Sequence, residues 1–219
     1  MDLSIIIPFS PQEDRLSAIL SDLKMIPIEG SFEILLVGES DINIPNDSKV
    51  FFVKSKLGRV DQLNRGAQVA KGKFLWFLHA DSEVGLKDFK LFYQTLLRHP
   101  NDLTYFNLKF SPPSKKMFLN EIGAKIRSDL FKLPFGDQGL GISKENFHKL
   151  VGFPLVPLGE DLAFVICARK NGIKLNNCGA NIFTSSRKYE KNGWIKTTLI
   201  HLFYTIKLFF SFWLGTKTI

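Results

Sequence analysis

Residues 58–81 read Gly58-Arg-Val-Asp-Gln-Leu-Asn-Arg-Gly-Ala-Gln-Val-Ala-Lys-Gly-Lys-Phe-Leu-Trp-Phe-Leu-His-Ala-Asp81. Within this stretch Leu63, Ala67 and Ala70 recur at helical spacing, and the apolar run Phe74–Leu78 follows with the length of a buried strand. The stretch thus predicts a helix with polar residues in its first turns, then a buried strand, then an acid. This order is typical of alternating β and α structure. The stretch therefore predicts an α/β fold.

The same alternation extends toward the N-terminus. Three more short apolar runs, Leu3–Phe9, Phe32–Val37 and Val50–Val53, are bounded by Pro, Gly and polar residues, as buried strands are. A helical repeat of leucine and isoleucine lies between the first two runs. This order predicts a mostly parallel central sheet flanked by helices, with ligands gathering beyond the carboxyl ends of the strands.

The second half of the chain is less regular, but it contains no repeat, low-complexity tract or linker. We therefore predict a single domain over residues 1–219, in which 191–215 form a C-terminal helical segment. The other predicted elements are a helix over 86–99, a strand over Leu103–Phe110, a helix over Lys116–Phe131, a loop at Gly136–Gly139 and a helix over Leu162–Lys170.

The charge balance narrows the choice of partners. The chain has 29 Lys and Arg against 21 Asp and Glu, and this net charge of +8 suits nucleotides, phospholipids or nucleic acid. The basic residues are scattered and form no nucleic-acid motif, so nucleic acid is not an expected partner. Cys167 and Cys178 lie in no metal or redox spacing, and the N-terminus lacks a signal-peptide pattern; both features predict a cytoplasmic protein.

Asp81 ends the fourth apolar run, where an open parallel sheet binds its ligands. A carboxylate there can share Mg²⁺ or Mn²⁺ with a nucleotide diphosphate, because both cations prefer oxygen ligands. His79 is two residues earlier and, in a strand, would point to the same side as Asp81. It could therefore be a metal ligand, a hydrogen-bond donor to phosphate or only a neighbour of the site. A helix cap at Asp81 and a buried histidine at 79 form an equally good interpretation.

Glu160 and Asp161 are two adjacent acids at the start of an apolar helix. One of them could be the general base that removes the proton of an acceptor hydroxyl during sugar transfer. Acids are also common in the first helical turn because of the helix dipole, and on sequence alone this is the commoner explanation. Their combination with Asp81 favours the catalytic role.

Two loops offer further polar contacts. Asp137 and Gln138 lie between Gly136 and Gly139, a pattern that suits a loop touching the polyol of an acceptor and equally suits an ordinary turn. The segment 184–193 carries Arg187 and Lys188, which could clamp a diphosphate or lie on a solvated surface.

The C-terminal run Trp194–Leu214 predicts a helix in which Leu199, Phe203, Ile206 and Phe210 share one apolar face. We expect this face to pack on the domain or on a second subunit of a homodimer. The alternative is a helix lying on a membrane surface, and a lipid-linked acceptor would explain such a helix. Its charged and polar interruptions make it too short to span a bilayer.

Together these segments resemble family 2 glycosyltransferases of the GT-A fold. The resemblance covers about residues 3–215 and rests on Ile5-Ile-Ile-Pro8, the 58–81 stretch, Gly136-Asp-Gln-Gly139 and Glu160-Asp161 in this order. Within the family the chain is most similar to a bacterial subgroup of radical-SAM/selenodomain-associated transferases, also linked to arsenosugar biosynthesis. That similarity rests on Leu78-His-Ala-Asp81, the Gly-Asp-Gln-Gly loop and Ser186-Arg-Lys188.

The resemblance implies transfer of a sugar from a nucleotide-diphosphate donor to a hydroxyl acceptor. Asp161 would match the catalytic base, with Glu160 beside it. Asp81 would match the last acid of the Asp-x-Asp metal motif, and His79 stands where the first acid usually is. The residues implied on the donor side are Pro8, Arg59, Asn64, Arg187 and Lys188.

Two positions depart from the family pattern. Val37 stands where relatives commonly carry an acid that contacts the nucleotide base. The Asn-Glu that usually follows the first strand is replaced by Ser10-Pro-Gln-Glu13, so Glu13 aligns only with a shift. The identity of the donor therefore does not follow from the resemblance.

The leading hypothesis is an inverting transferase that uses Asp161 as base, at the inner face of the membrane or free in the cytoplasm. The second is a catalytically silent module that binds a nucleotide-sugar or a membrane surface, a hypothesis motivated by Val37, His79 and the aromatic and basic C-terminal segment.

Overall fold

The computed structural model describes residues 1–10, 16–24, 30–40, 47–156 and 158–213. The strands in these residues are β1 Leu3–Pro8, β2 Phe32–Gly38, β3 Val50–Lys54, β4 Phe74–Phe77, β5 Leu103–Ser111, β6 Leu140–Ser143 and β7 Leu175–Ser185. The helices are α1 Leu16–Lys24, α2 Arg59–Val69, α3 Leu86–Arg98, α4 Lys115–Asp129, α5 Lys144–Lys149, α6 Glu160–Lys170, α7 Arg187–Asn192 and α8 Trp194–Trp213.

The strands form one sheet with the order β3-β2-β1-β4-β6-β5-β7. Strand β1 is parallel to both of its neighbours, β2 and β4, and β2 is parallel to β3. Strand β6 runs antiparallel to β4 and β5, whereas β5 and β7 are parallel. The predicted α/β fold with a mostly parallel sheet and flanking helices is confirmed.

The core lies on both faces of the sheet. One face packs Trp76 against Phe89 and Phe92 of α3 and Phe106 of β5, with ring centroids 5.1–5.9 Å from Trp76. The other face packs β4 against α6 and the segment around Phe153. Because β1, β2 and β4 are covered on both sides, their sequences are almost continuously apolar.

A glycine sets the position of α2. A Cβ atom added at Gly66 would come within 2.5 Å of Cγ2 of Ile6, so only a residue without a side chain lets α2 pack this closely on β1. Gln62, in the first turns of α2, donates a hydrogen bond of 2.8 Å to the carbonyl of Phe9 just beyond β1. These contacts hold the N-terminus of α2 beside the carboxyl end of β1.

The predicted strands match β1 to β5 to within one residue at each end, and the predicted helices match α3, α4 and α6 to within two. Strand β4 ends at Phe77, one residue earlier than expected, and Ser82 donates a backbone hydrogen bond to His79 in the turn that follows. The expectation that strand alternation aligns His79 with Asp81 is therefore wrong.

The C-terminal helix is present, but the predicted packing of its apolar face on the domain is wrong, and packing on a second subunit stays a prediction. Leu199, Phe203, Ile206 and Phe210 are each between 49% and 61% exposed, so the shared apolar face does not pack on the domain. Trp213 closes α8, and residues 214–219 lie outside the described part of the chain. Among the residues that the structure describes, no helix has the length and apolar content needed to cross a membrane.

Candidate active site

Arg59 connects two of the predicted site residues. It opens α2, and its guanidinium pairs with Glu160 at the start of α6, with 2.8 Å between Nε and Oε1. Its Nη2 donates a hydrogen bond to Nε2 of His79, just after β4. Since an arginine only donates, Nε2 of His79 is the acceptor of this bond. Arg59 thus holds three elements together at the carboxyl edge of the sheet.

Asp161 lies in the first turn of α6 and accepts two backbone hydrogen bonds. Its Oδ1 accepts from the N–H of Leu162 at 2.8 Å, and its Oδ2 accepts from the N–H of Gly136 at 2.6 Å. The first bond lies within the first turn of the helix, and it agrees with the interpretation of Asp161 as an acid that stabilises the start of a helix. The second reaches outside the helix and fixes the orientation of the carboxylate.

Gly136 lets the imidazole of His79 and the carboxylate of Asp161 converge. A Cβ atom added at Gly136 would lie 3.0 Å from Oδ2 of Asp161 and 3.1 Å from Nε2 of His79. Any side chain at position 136 would thus press on both groups. The glycine of the predicted loop is needed for close approach to these two side chains.

Asp137 shares this cluster. The pKa of Asp137 is raised to about 6, mainly by burial and in smaller part by the charges of Asp161 and Asp81, while Arg127 and Arg59 oppose the rise. Its Oδ1 is buried and has no hydrogen-bond partner among the described residues. Buried polar atoms are normally paired, so an unpaired carboxylate oxygen here suits a group that a ligand supplies.

Gln138, which was predicted to contact the acceptor, makes hydrogen bonds inside the protein. Its side chain is 1% exposed, and its Nε2 donates to the carbonyl of Phe106 at 2.9 Å. Its Oε1 accepts from Arg127, Ser128 and the N–H of Phe135 at 2.8–3.1 Å. Because these bonds occupy the carboxamide inside the protein, the geometry favours Gln138 as the support of the Gly136–Gly139 turn.

Asn64 also serves a structural purpose. Its side chain exchanges two hydrogen bonds with the backbone of Phe153, donating to the carbonyl at 2.9 Å and accepting from the N–H at 2.8 Å. This pairing ties α2 to the segment that leads toward α6. The donor contact implied for Asn64 by resemblance is not favoured by this geometry.

The other implied residues lie around the same edge. Pro8 is buried at the end of β1, and Asp81 is half-buried in the turn after β4. Arg187 opens α7 and donates to Oγ of Ser185 at 3.2 Å through its Nε. Lys188 follows in α7, but its side chain lies outside the described part of the chain, as does Glu13.

Arg127 is a site residue that the sequence did not indicate. It is half-buried, its guanidinium carbon lies 3.3 Å from the centroid of the Phe135 ring, and its Nε donates to the carbonyl of Leu133 at 2.9 Å. Burial lowers the pKa of Arg127, while the nearby charges of Asp137 and Asp161 raise it. On the sequence it resembles an ordinary surface cation of a helix, so no local signal distinguished it.

The mostly parallel seven-stranded sheet flanked by helices is the GT-A fold predicted from the sequence. The chain belongs to glycosyl transferase family 2, whose family model matches residues 4–118. This is the family that the sequence predicted. A comparison with curated protein sequences gave no match.

Solved structures with the same fold include residues 1–349 of TarS from S. aureus, with a TM-score of 0.64 and 17% identity over 85% of this chain and 61% of that one. The mannosyltransferase PcManGT from Pyrobaculum calidifontis, in complex with GDP-Man and Mn²⁺, has a TM-score of 0.66 and 13% identity. The match covers 83% of this chain and 56% of PcManGT. TarS 1–349 with UDP-GlcNAc has a TM-score of 0.61 and 18% identity over 84% and 58%. The chain spans about three fifths of these proteins.

Proposed function

We propose that the chain moves a sugar from a nucleotide-diphosphate donor to a hydroxyl acceptor with inversion at the anomeric carbon. The observation that carries the proposal is the Asp161 carboxylate, which Gly136 and Leu162 orient beside His79 at the carboxyl edge of the sheet. A general base must be held in reach of the hydroxyl proton that it removes. Asp161 meets the requirement of a fixed orientation.

The proposed reaction is a single displacement. The acceptor oxygen attacks the anomeric carbon while the bond from that carbon to the diphosphate oxygen breaks. The electron pair of the broken bond leaves with the nucleoside diphosphate, and the proton of the acceptor goes to Asp161. Glu160 is engaged by Arg59, so we assign it a positioning role rather than that of the base.

Among the residues assigned to the donor side, Arg59 and His79 are the ones that lie beside Asp161 and Glu160. The guanidinium of Arg59 is about a third exposed and can turn N–H groups toward phosphate oxygens. Pro8, Arg187 and Lys188 belong to this side through the family resemblance. Val37 is fully buried, which supports a change in how the base of the donor is recognised. The arsenosugar-linked subgroup stays a prediction from the motifs.

A divalent cation, Mn²⁺ or Mg²⁺, is part of the proposal, and Asp81 would hold it. In the described part of the chain, no group of three His, Cys, Asp or Glu is arranged around a metal site. Nε2 of His79 is engaged by Arg59. One carboxylate still fits, because Mg²⁺ often binds through one or two carboxylates, water and substrate phosphates. When bound, the cation would stabilise the charge of the departing diphosphate.

A catalytically silent binding module is the second candidate. It is favoured by the buried Val37 and by His79 in place of the first acid of the metal motif. The transferase and a module that binds a nucleotide-sugar would both bind a nucleotide, so turnover separates these two candidates. Binding of a donor without release of its nucleoside diphosphate, on any acceptor and without one, would support the module.

Binding of the donor nucleotide is expected to raise the melting temperature. We would heat the protein with uridine, guanosine, cytidine or adenosine diphosphate, each with and without Mn²⁺. At about 100 times the Kd the stabilisation is about 2.7 kcal/mol. For a chain of this length that corresponds to a rise of roughly 5–10 °C. One nucleotide should give this rise, and Asp81→Ala should remove the part that depends on Mn²⁺.

The control variant is Asp61→Ala, which changes an exposed acid on the surface of α2. It should melt and respond like the unaltered chain. If none of the four nucleotides changes the melting temperature, with or without Mn²⁺, the donor site is absent and the proposal is wrong.

We also propose that the protein lies peripherally on the inner face of the membrane through α4 and α8. Large apolar side chains are exposed on both helices and at Leu130, directly after α4; those on the helices are Phe118, Leu119, Ile122, Ile126, Ile195, Leu199, Leu202, Phe203, Ile206 and Phe210. A patch of this kind marks an interaction surface. The basic chain favours anionic lipid headgroups as its partner.

Charges in the patch should release the protein from vesicles. We expect Leu199→Glu combined with Phe203→Glu to lower the fraction that floats with anionic phosphatidylglycerol vesicles at least tenfold, because each apolar side chain contributes about 1.5–3 kcal/mol when buried. Leu97→Glu, at a position that is also exposed but lies on α3, is the control and should float normally. Equal flotation of both variants would exclude the patch as the membrane contact.

A further inference from the structure

An apolar pocket of about 560 Å³ lies between α4 and α8. Leu119 and Ile126 of α4 form one wall, and Leu202, Ile206 and Phe210 of α8 form the other. Volumes of this size are typical of small-molecule binding sites. The surrounding apolar patch makes the pocket continuous with the surface that we assign to the membrane.

Gly123, in the middle of α4, lines the pocket. A Cβ atom added at Gly123 would have nothing within 4 Å, so this position faces open space. A large side chain at position 123 would therefore extend into the pocket without displacing protein atoms close to its Cβ.

The part of the pocket at Asp137 and Arg127 is polar and connects to the catalytic cluster. Asp137 directly follows Gly136, whose N–H holds Asp161. Two lining residues carry a buried atom that has no hydrogen-bond partner among the described residues: Oδ1 of Asp137, an acceptor, and Nδ2 of Asn120, a donor. Leaving such atoms unpaired is costly, so a ligand in the pocket that carries a hydroxyl group can pair with one of them.

We propose that the pocket binds the alkyl chain of an amphiphilic alcohol, and that this alcohol is the acceptor of the sugar. The assignment rests on the proposed function, and it names the class of acceptor. The chain of the alcohol lies between α4 and α8, and its hydroxyl reaches the polar part of the pocket beside Asp137, next to the base Asp161. The acceptor enters from the membrane surface.

Alcohols of different chain length test the pocket directly. The probe is N-phenyl-1-naphthylamine, a neutral apolar fluorophore, displaced from the full-length protein by 1-butanol, 1-hexanol and 1-decanol. Each added CH₂ group should tighten binding about threefold to fourfold if it is buried. Gly123→Leu fills the pocket and should weaken displacement by 1-decanol at least tenfold, and Gly123→Ala should give a smaller loss.

Two controls separate this inference from the donor site. Gln94→Leu adds the same side chain at an exposed position of α3 and should bind the alcohols normally. Gly123→Leu should keep the nucleotide-dependent rise in melting temperature, so a lost donor site and a lost acceptor pocket give different results. Equal binding of the three alcohols, or equal binding by Gly123→Leu and the unaltered chain, would overturn the inference. A dimer whose interface covers the pocket and keeps the fluorophore out of it would overturn the inference as well.

Discussion

Replacing Asp161 by Asn is expected to lower kcat by about 10²- to 10⁴-fold, the usual contribution of a general base. The carboxamide has nearly the size of the carboxylate but does not accept the proton of the acceptor hydroxyl. It also presents an NH₂ group to one of the two backbone donors, Leu162 or Gly136, so one hydrogen bond of about 1 kcal/mol is lost. Transfer rates and donor binding measured on the same preparation separate the chemical loss from this local cost.

Glu160→Gln is the matched comparison, because it makes the same chemical change one residue earlier. Glu160 pairs with Arg59, so its replacement should loosen the donor side and raise the KM for the donor, with a smaller loss in kcat. If Glu160→Gln abolishes transfer while Asp161→Asn keeps more than a tenth of the rate, the base has been assigned to the wrong acid.

The sequence predicted the parallel half of the sheet because those strands are buried on both faces. Strands β1, β2 and β4 are short apolar runs between turn residues, a pattern that few other structures produce. Strand β7 was missed because Asn176, Asn177 and Gly179 give it the composition of a loop. Strand β6 was missed because its four residues contain a glycine and are too few to show a period.

The sequence predicted those site residues that lie at the end of a strand or at the start of a helix, where such folds bind their ligands. His79, Glu160 and Asp161 come together as expected, although they are distant in the sequence. The sequence did not indicate the internal hydrogen bonds of Gln138 and Asn64, because a polar side chain in a loop or helix gives no sign of whether it turns inward. The packing of α4 against the Gly136–Gly139 turn decides this for Gln138, and the packing of α2 on the segment at Phe153 decides it for Asn64.

The largest expected effect on stability is that of Gln138→Ala. The substitution leaves the carbonyl of Phe106, the guanidinium of Arg127 and the N–H of Phe135 without their buried partner. Unpaired buried groups cost about 1–3 kcal/mol each, and relaxation recovers part of this, so we expect a loss of about 3 kcal/mol. For a chain of this length the melting temperature should fall by roughly 6–12 °C, which calorimetry measures.

Gln68→Ala, on the exposed surface of α2, controls for the loss of a glutamine and should change the melting temperature by less than about 2 °C, because surface substitutions usually cost within ±0.5 kcal/mol. The supporting role of Gln138 and its predicted contact with the acceptor lead to different results for the melting temperature and the KM. A supporting residue lowers the melting temperature without any ligand, because its hydrogen bonds are internal. A residue that contacts the acceptor raises the KM for the acceptor in a protein that melts normally, and that result would restore the role predicted from the sequence.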